Sequence, residues 1–311
     1  MLFAKIGSSS IAELDVMIGD TYPEIRAHET KIMMRLVDVI VQNASAVSVL
    51  IDNCAELDCL IAISKVCKEY GFVRPVFTNN RVVKIKQGKH PLHAINSDNF
   101  VPNDISSSLE DGFVKILTGA NSCGKSVYMK QVALICYLAH IGSFVPAESA
   151  VLSPLARVRT RVQSTECVAA HMSAFLIDLR QMSSALQEFS SDSLILIDEF
   201  GKGTSEVDGL ALLAACLNHF LFQGAKCPHV LVSTHFLNIK EFLLKTPLVR
   251  FQTFEHVMQD GEPVFLFRLT EGTAERSFAL EVAAASGLDS RLLRRASEVQ
   301  QCIKVILTNI L

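Results

Sequence analysis

The sequence predicts an α/β fold: a mostly parallel sheet flanked by helices and preceded by long helices. Three observations carry this. From residue 113 onward, short apolar runs alternate with helical stretches, the pattern of parallel strands joined by covering helices. A glycine-rich turn, 119–126, lies between one such strand and the next helix. Before Gly71, apolar residues recur at helical spacing with charges between them.

The spacing predicts helix from about 11 to 70. Ile25, Ile32, Leu36, Val39 and Ile40 fall on one stripe, and Val47, Leu50, Ile51, Leu57, Leu60 and Ile61 on another. Asn43-Ala44-Ser45 suits a bend, so two long helices or one bent helix are expected. Pro23 suits a start or a kink. A strand follows over 81–86, then a turn at Gly88-Lys89-His90-Pro91 and a polar loop over 96–111. Strands are then expected over 113–117, 194–197, 229–233 and 264–269. Helices are expected over 125–139, 172–188, 209–222, 238–244, 278–286 and 290–307.

The 311 residues suffice for one large or two modest domains, and half are apolar. The formal charge of −3 gives no whole-chain case for nucleic acid. No apolar run approaches the ~18 residues of a membrane span; the best is 132–139. No signal-peptide pattern opens the chain. Nine cysteines form no C-x-x-C and read as reduced core thiols. No internal repeat or low-complexity tract is present.

The chemistry concentrates in two segments. Gly119-Ala120-Asn121-Ser122-Cys123-Gly124-Lys125-Ser126 fits G-x-x-x-x-G-K-[ST] after a strand and before a helix, the context a phosphate-binding loop needs. Gly119 and Gly124 let the backbone turn so that N–H groups of the loop, Asn121 to Cys123 included, point inward at phosphate oxygens. Lys125 suits the β- and γ-phosphates and the Ser126 hydroxyl suits Mg²⁺. Cys123 is small-residue filler within the loop. The second segment, 194–199, is an apolar strand ending in Asp198 and Glu199. Asp198 is placed to hold the metal, and Glu199 to orient or deprotonate water. His235 follows the next strand; it is either structural or a sensor of the γ-phosphate. Phe100 and Phe267 read from the residues alone as core more readily than as stacking rings.

The segments TGANSCGKSVYMKQ, GSFVPAE, SAFLIDL, LILIDEFGKGTSEVDGLAL, STHF and EGTAERSFALEVAAASGL resemble the ATPase domain of the MutS family of DNA mismatch proteins. The likeness covers nearly the whole chain. ELDVMIGD, EIRAHET, DEFGKGT and VDGLALLAA are most similar to the family's meiotic recombination branch. The resemblance implies a P-loop ATPase of the ABC type over 76–286, a lever-helix remnant over 1–75 and a dimerisation helix over 287–311. It implies ATP and Mg²⁺ as cofactors, with Asp198 and Ser126 on the metal, Glu199 activating water and His235 as a switch histidine. Phe100 and Phe267 then stack on adenine, and Ser173 reaches the γ-phosphate of the opposite subunit. A sibling chain of the family is the implied partner in a heterodimer. Double-stranded or branched DNA is the implied target, reached through the family's upstream regions, and the nucleus and its chromosomes the location. The abrupt start within a helix suggests a longer gene product.

Some positions depart from the family pattern. Ala120 replaces a proline, Val127 a threonine, and His171 and Ala174 a glycine and a threonine around Ser173. Ser277-Phe278-Ala279 replaces S-Y-G. The altered loop around Ser173 supports an alternative, an ATP-binding dimerisation module with little hydrolysis. A transporter ATPase is disfavoured, because 168–173 lacks L-S-G-G-Q. A chromosome-structure ATPase fails, because Lys125 and Asp198 stand only 73 positions apart. Leu292, Leu293, Val299, Ile303 and Ile306 form a terminal apolar stripe that suits a partner subunit.

Overall fold

A computed structural model describes residues 13, 16–19, 21–97, 99–162, 173–259, 262–274, 276 and 278–310. The expected helix onset at 11, and His171, Met172 and Ser277, lie outside them. So do the side chains of Ile303 and Ile306.

The chain divides into two compact units, residues 1–62 and 63–311. The helices are α1 (Thr21–Gln42) and α2 (Ala44–Glu69), and they part at Asn43, where the bend was expected. No residue of α1 is buried. Gly71, at φ +64°, follows α2, a backbone state that favours glycine.

Next come β1 (Val76–Phe77), β2 (Val83–Gly88), α3 (Pro91–Asn96), β3 (Asn103–Ser107), β4 (Val114–Thr118), α4 (Lys125–His140), β5 (Ser149–Leu152) and β6 (Arg157–Arg161). They are followed by α5 (Ala174–Gln187), β7 (Ser193–Asp198), α6 (Glu206–Leu221), β8 (His229–Thr234), β9 (Val249–Gln259), β10 (Glu262–Glu271), α7 (Ala279–Ala285) and α8 (Ser290–Ile310). The main sheet runs β10-β9-β4-β8-β7-β6. Every pairing in it is parallel except β10 with β9.

Why β4, β7 and β8 are mostly apolar, with Lys115 the one charged residue inside β4, is visible in the packing. Side chains alternate between the two faces of a strand, and both faces are covered. Ile116, Ile195, Ile197, Val230 and Val232 join Met182 of α5 and Leu213, Leu217 and Phe220 of α6. Leu117, Leu194, Leu196 and Leu231 join Tyr128, Val132 and Ile135 of α4 with Val83, Ile85 and Leu152 of the second sheet. Each such fully buried side chain contributes roughly 1.5–3 kcal/mol.

That second sheet, in the order β1-β5-β2-β3, corrects the expected loop over 96–111. Strand β3 carries one buried aliphatic residue, Ile105; Asn103 and Ser107 are buried with it. Polar bonds hold it instead: the Asn103 amide donates to the Phe267 carbonyl at 2.9 Å and accepts from Leu269 N–H at 2.7 Å. The helix expected over 238–244 shrinks to a 3₁₀ turn, Ile239–Phe242. Asn218 of α6 causes this, donating to the Phe242 carbonyl and accepting from Leu244 N–H, each at 2.9 Å. Those backbone groups are thereby diverted from a further helical turn.

Every described cysteine is free. Among the described residues no helix is long and apolar enough to cross a membrane.

Candidate functional site

The site forms where β4 and β7 end. Strand β4 stops at Thr118, and the chain turns through Gly119 (φ +152°), Ser122 (φ +64°) and Gly124 (φ +106°) before α4 begins at Lys125. Gly124 occupies the N-cap in a left-handed state, and a Cβ there would lie 3.4 Å from Phe267 Cδ1. The loop presents backbone N–H groups at a helix start, an arrangement that favours anions. Lys125 is buried at 4% exposure, and its Nζ donates to the carbonyls of Gly119 at 2.9 Å and Ala120 at 2.7 Å. Burial pushes the Cys123 thiol up, with Lys125 partly opposing it; a protonated, buried thiol suits filler.

Phe100, Asn121, Ser122, Gly124, Lys125, Ser126, Glu199 and Phe267 line one cavity of about 390 Å³. The cavity has two chemical ends. Phe100, Phe267 and Phe254 supply rings, while the loop and Lys125 supply donors and positive charge. A ligand with a flat apolar base and a polyanionic tail fits this division. Phe267 reaches the cavity from a kink in β10: its φ is +54°, and the β9–β10 register shifts between Phe265 and Leu269.

Asp198 closes β7 at 5% exposure. Its carboxylate accepts from Ser233 Oγ of β8, and its carbonyl accepts from Arg161 of β6, which also pairs with Asp178 of α5. Glu199 stands in the left-handed region at φ +51°, a strained state for a non-glycine residue. Its N–H donates to the Ser233 carbonyl at 3.0 Å and to Ser233 Oγ at 3.2 Å. Its carboxylate lies 3.9 Å from Lys125 Nζ and 3.0 Å from Lys202 Nζ. Burial pushes this carboxyl up, but the Lys202 hydrogen bond and charge, then Lys125 and His235, outweigh it and hold the group below its ordinary value.

Other expected residues stand outside the cavity wall. Gly119 and Cys123 line a separate cavity. His235 is exposed beyond β8, its ring 4.1 Å from that of Phe236. Burial lowers its pKa, and Glu199 partly opposes that shift. Ser173 is the N-cap of α5, and its Oγ accepts from Leu176 N–H at 3.3 Å. Among the described residues, no group of three or more His, Cys, Asp or Glu forms a metal cage. Ser126 lines the cavity and Asp198 does not; a hydroxyl and a carboxylate are donors of the kind magnesium takes together with phosphate and water.

The sequence reading missed several lining residues: His93, Asn99, Asn103, Tyr128, Gln131 and Phe254. Asn103 was legible, because it closes the F-V-P-N stretch begun by Phe100. Lys202 was visible inside DEFGKGT but had no assigned role.

Fold and loop together define a P-loop nucleotide-binding domain of the α/β class. The profile of MutS domain V matches residues 115–304. MutS protein homolog 5 of Caenorhabditis elegans is 33% identical over 304 residues, covering 96% of this chain and 22% of that protein. DNA mismatch repair protein MSH3 of Candida glabrata is 36% identical, with 81% of this chain and 25% of the relative covered. DNA mismatch repair protein MutS of Dehalococcoides mccartyi is 38% identical, with 79% and 29% covered. The chain belongs to the MutS family and carries its ATPase domain, domain V. It spans about a quarter of the length of these relatives.

Proposed function

We propose that this chain is the ATP-binding and hydrolysing domain of a MutS-family DNA clamp that switches DNA binding in meiotic recombination or mismatch repair. The supporting observation is the two-ended cavity, with aromatic rings opposite a phosphate loop and Glu199 on its wall. Lys125 and the loop N–H groups hold the β- and γ-phosphates. Phe100 and Phe267 enclose the adenine. Ser126 and Asp198 hold Mg²⁺, which when bound neutralises charge developing on the transferred phosphoryl group. Glu199 orients the attacking water, and His235 senses the γ-phosphate. Positioning and charge stabilisation dominate phosphoryl transfer, and these groups supply both.

The meiotic reading rests on the likeness of the ELDVMIGD, EIRAHET, DEFGKGT and VDGLALLAA segments to that branch of the family. It carries the partner with it: a sibling MutS homologue, MutS homologue four, in a nuclear, chromosome-bound heterodimer. Ser173 then serves the partner's site, residues 1–75 belong to the lever and 287–311 to the dimer contact. Leu292 and Val299 are exposed on α8, as a partner-facing stripe requires. DNA is held by regions outside this chain.

The test is single-turnover ATP hydrolysis with and without the sibling subunit. Glu199→Gln should bind ATP and lose turnover; normal turnover in that variant contradicts the role of Glu199. The second reading, a dimerisation module that binds ATP and barely hydrolyses it, is favoured by the altered residues His171 and Ala174 beside Ser173. It predicts nucleotide binding with negligible turnover in both conditions.

A further inference from the structure

Glu199 is held from several directions, and one of the groups holding it has no role in the site as described. Its backbone hangs on Ser233, and one carboxylate oxygen faces Lys125 at 3.9 Å. The other oxygen accepts from Lys202 Nζ at 3.0 Å. Lys125 is committed to the phosphate loop, so a triphosphate drawn into the cavity competes with Glu199 for it. Lys202 lines no part of the cavity and has no such competitor.

An ion pair between two exposed side chains contributes little, because holding both costs entropy and solvent screens the charge. Here Lys202 is 55% exposed, but the carboxylate is only 18% exposed, and the backbone on both sides of Lys202 is fixed. Gly201 (φ +90°) packs against the backbone of Gly209 in α6, where a Cβ would meet Gly209 Cα and O at 2.8 Å. Gly203 packs on Phe175, where a Cβ would lie 3.1 Å from Phe175 Cβ. The Lys202 side chain therefore leaves a clamped loop and reaches a mostly buried acceptor. Phe175 stands two residues after Ser173 on α5, so the helix that Ser173 caps touches the loop that carries Lys202.

We propose that Lys202 is a positioning residue: it sets the orientation of the Glu199 carboxylate, and its loop, braced on Phe175, ties that orientation to the helix capped by Ser173. The proposal rests on the reading of Glu199 as the water-orienting group. Other titratable groups around Glu199 are Lys125 on the phosphate loop, His235 beyond β8, and Glu206, which acts on His235 from α6. None of them hydrogen-bonds the carboxylate as Lys202 does.

The experiment uses the full-length protein with three substitutions: Lys202→Met, Lys202→Arg and Glu199→Gln. Affinity for a non-hydrolysable ATP analogue is measured first, then the single-turnover hydrolysis rate. Lys202→Met should bind the analogue as wild type does and hydrolyse ATP about tenfold more slowly, part of what a placed general base supplies. Lys202→Arg should restore the rate. A purely structural lysine would instead weaken analogue binding and lower the urea midpoint along with the rate. Lys202→Met with wild-type rate, or a slow rate that Lys202→Arg does not restore, overturns the proposal, provided Glu199→Gln is inactive. If Glu199→Gln retains turnover, the reading of Glu199 fails instead.

Discussion

Gly209→Ala sets two known effects against each other. Gly209 lies in the first turns of α6, its N–H bonded to the Ser205 carbonyl at 2.9 Å. Replacing a helical glycine with alanine ordinarily gains about 1 kcal/mol. At this position the new Cβ would lie 2.4 Å from the Gly201 carbonyl oxygen, and 3.0 Å from both Gly201 C and Phe236 Cζ. The first distance is roughly 1 Å inside an ordinary contact. The obstructing atom is backbone, and it belongs to a residue already at φ +90°, so it cannot rotate aside. Overpacking of this kind costs about 1–3 kcal/mol, occasionally more. The clash therefore offsets the helix gain and leaves a net loss of about 0–2 kcal/mol. It also pushes the loop that begins two residues after Glu199. The assay is urea denaturation, reading a lower midpoint at constant slope, paired with single-turnover ATP hydrolysis, which should fall while analogue binding persists. A variant more stable than wild type with unchanged turnover would refute the close packing of Gly201 on Gly209.

Further outcomes follow from the same geometry. Phe100→Ala and Phe267→Ala should each weaken ATP by about tenfold, the worth of one aromatic stack on a base, and leave inorganic triphosphate unaffected; equal loss for both ligands in a competition assay would remove the rings from the base end. His229 is fully buried, its Nδ1 2.7 Å from Ser107 Oγ, and burial with Arg81 and Lys115 pushes it down to about 3. An unfolded histidine titrates near 6.5. The unfolded chain therefore binds the extra proton between those values, and stability should fall as pH drops from about 6.5 toward 3, by roughly 1.4 kcal/mol per unit. His229→Gln should flatten that slope in acid denaturation; an unchanged slope would assign it elsewhere. Leu213→Ala, at a fully buried position in the core under α6, should cost about 2–5 kcal/mol in urea denaturation; a loss below 1 kcal/mol would mean that the site collapses freely.

Legibility in the sequence followed the kind of force at work. Where burial decides, the pattern was plain: β4, β7 and β8 are covered on both faces and read as mostly apolar, Lys115 in β4 apart. The phosphate loop was plain because Gly124 must turn left-handed before α4. Strand β3 was hidden, since Asn103 is held by Phe267 and Leu269, more than 160 positions away in sequence. The shortened helix at Ile239–Phe242 was hidden because Asn218, on another element, takes its backbone groups. Phe267 enters the cavity through a positive φ at a register shift, a detail no periodicity records. Lys202 was invisible as a partner of Glu199 because the loop joining them is shaped by Gly209 and Phe175, not by its own residues.

The central claim is that the cup between Gly119 and Ser126 holds a triphosphate through Lys125. Titration calorimetry of ATP with Mg²⁺ against wild type and Lys125→Ala tests it most directly. The account predicts saturable binding by wild type and a loss of about 100-fold or more in the variant, the worth of a few charge-assisted hydrogen bonds. Equal binding by the two proteins, or none by a folded wild type, would contradict it.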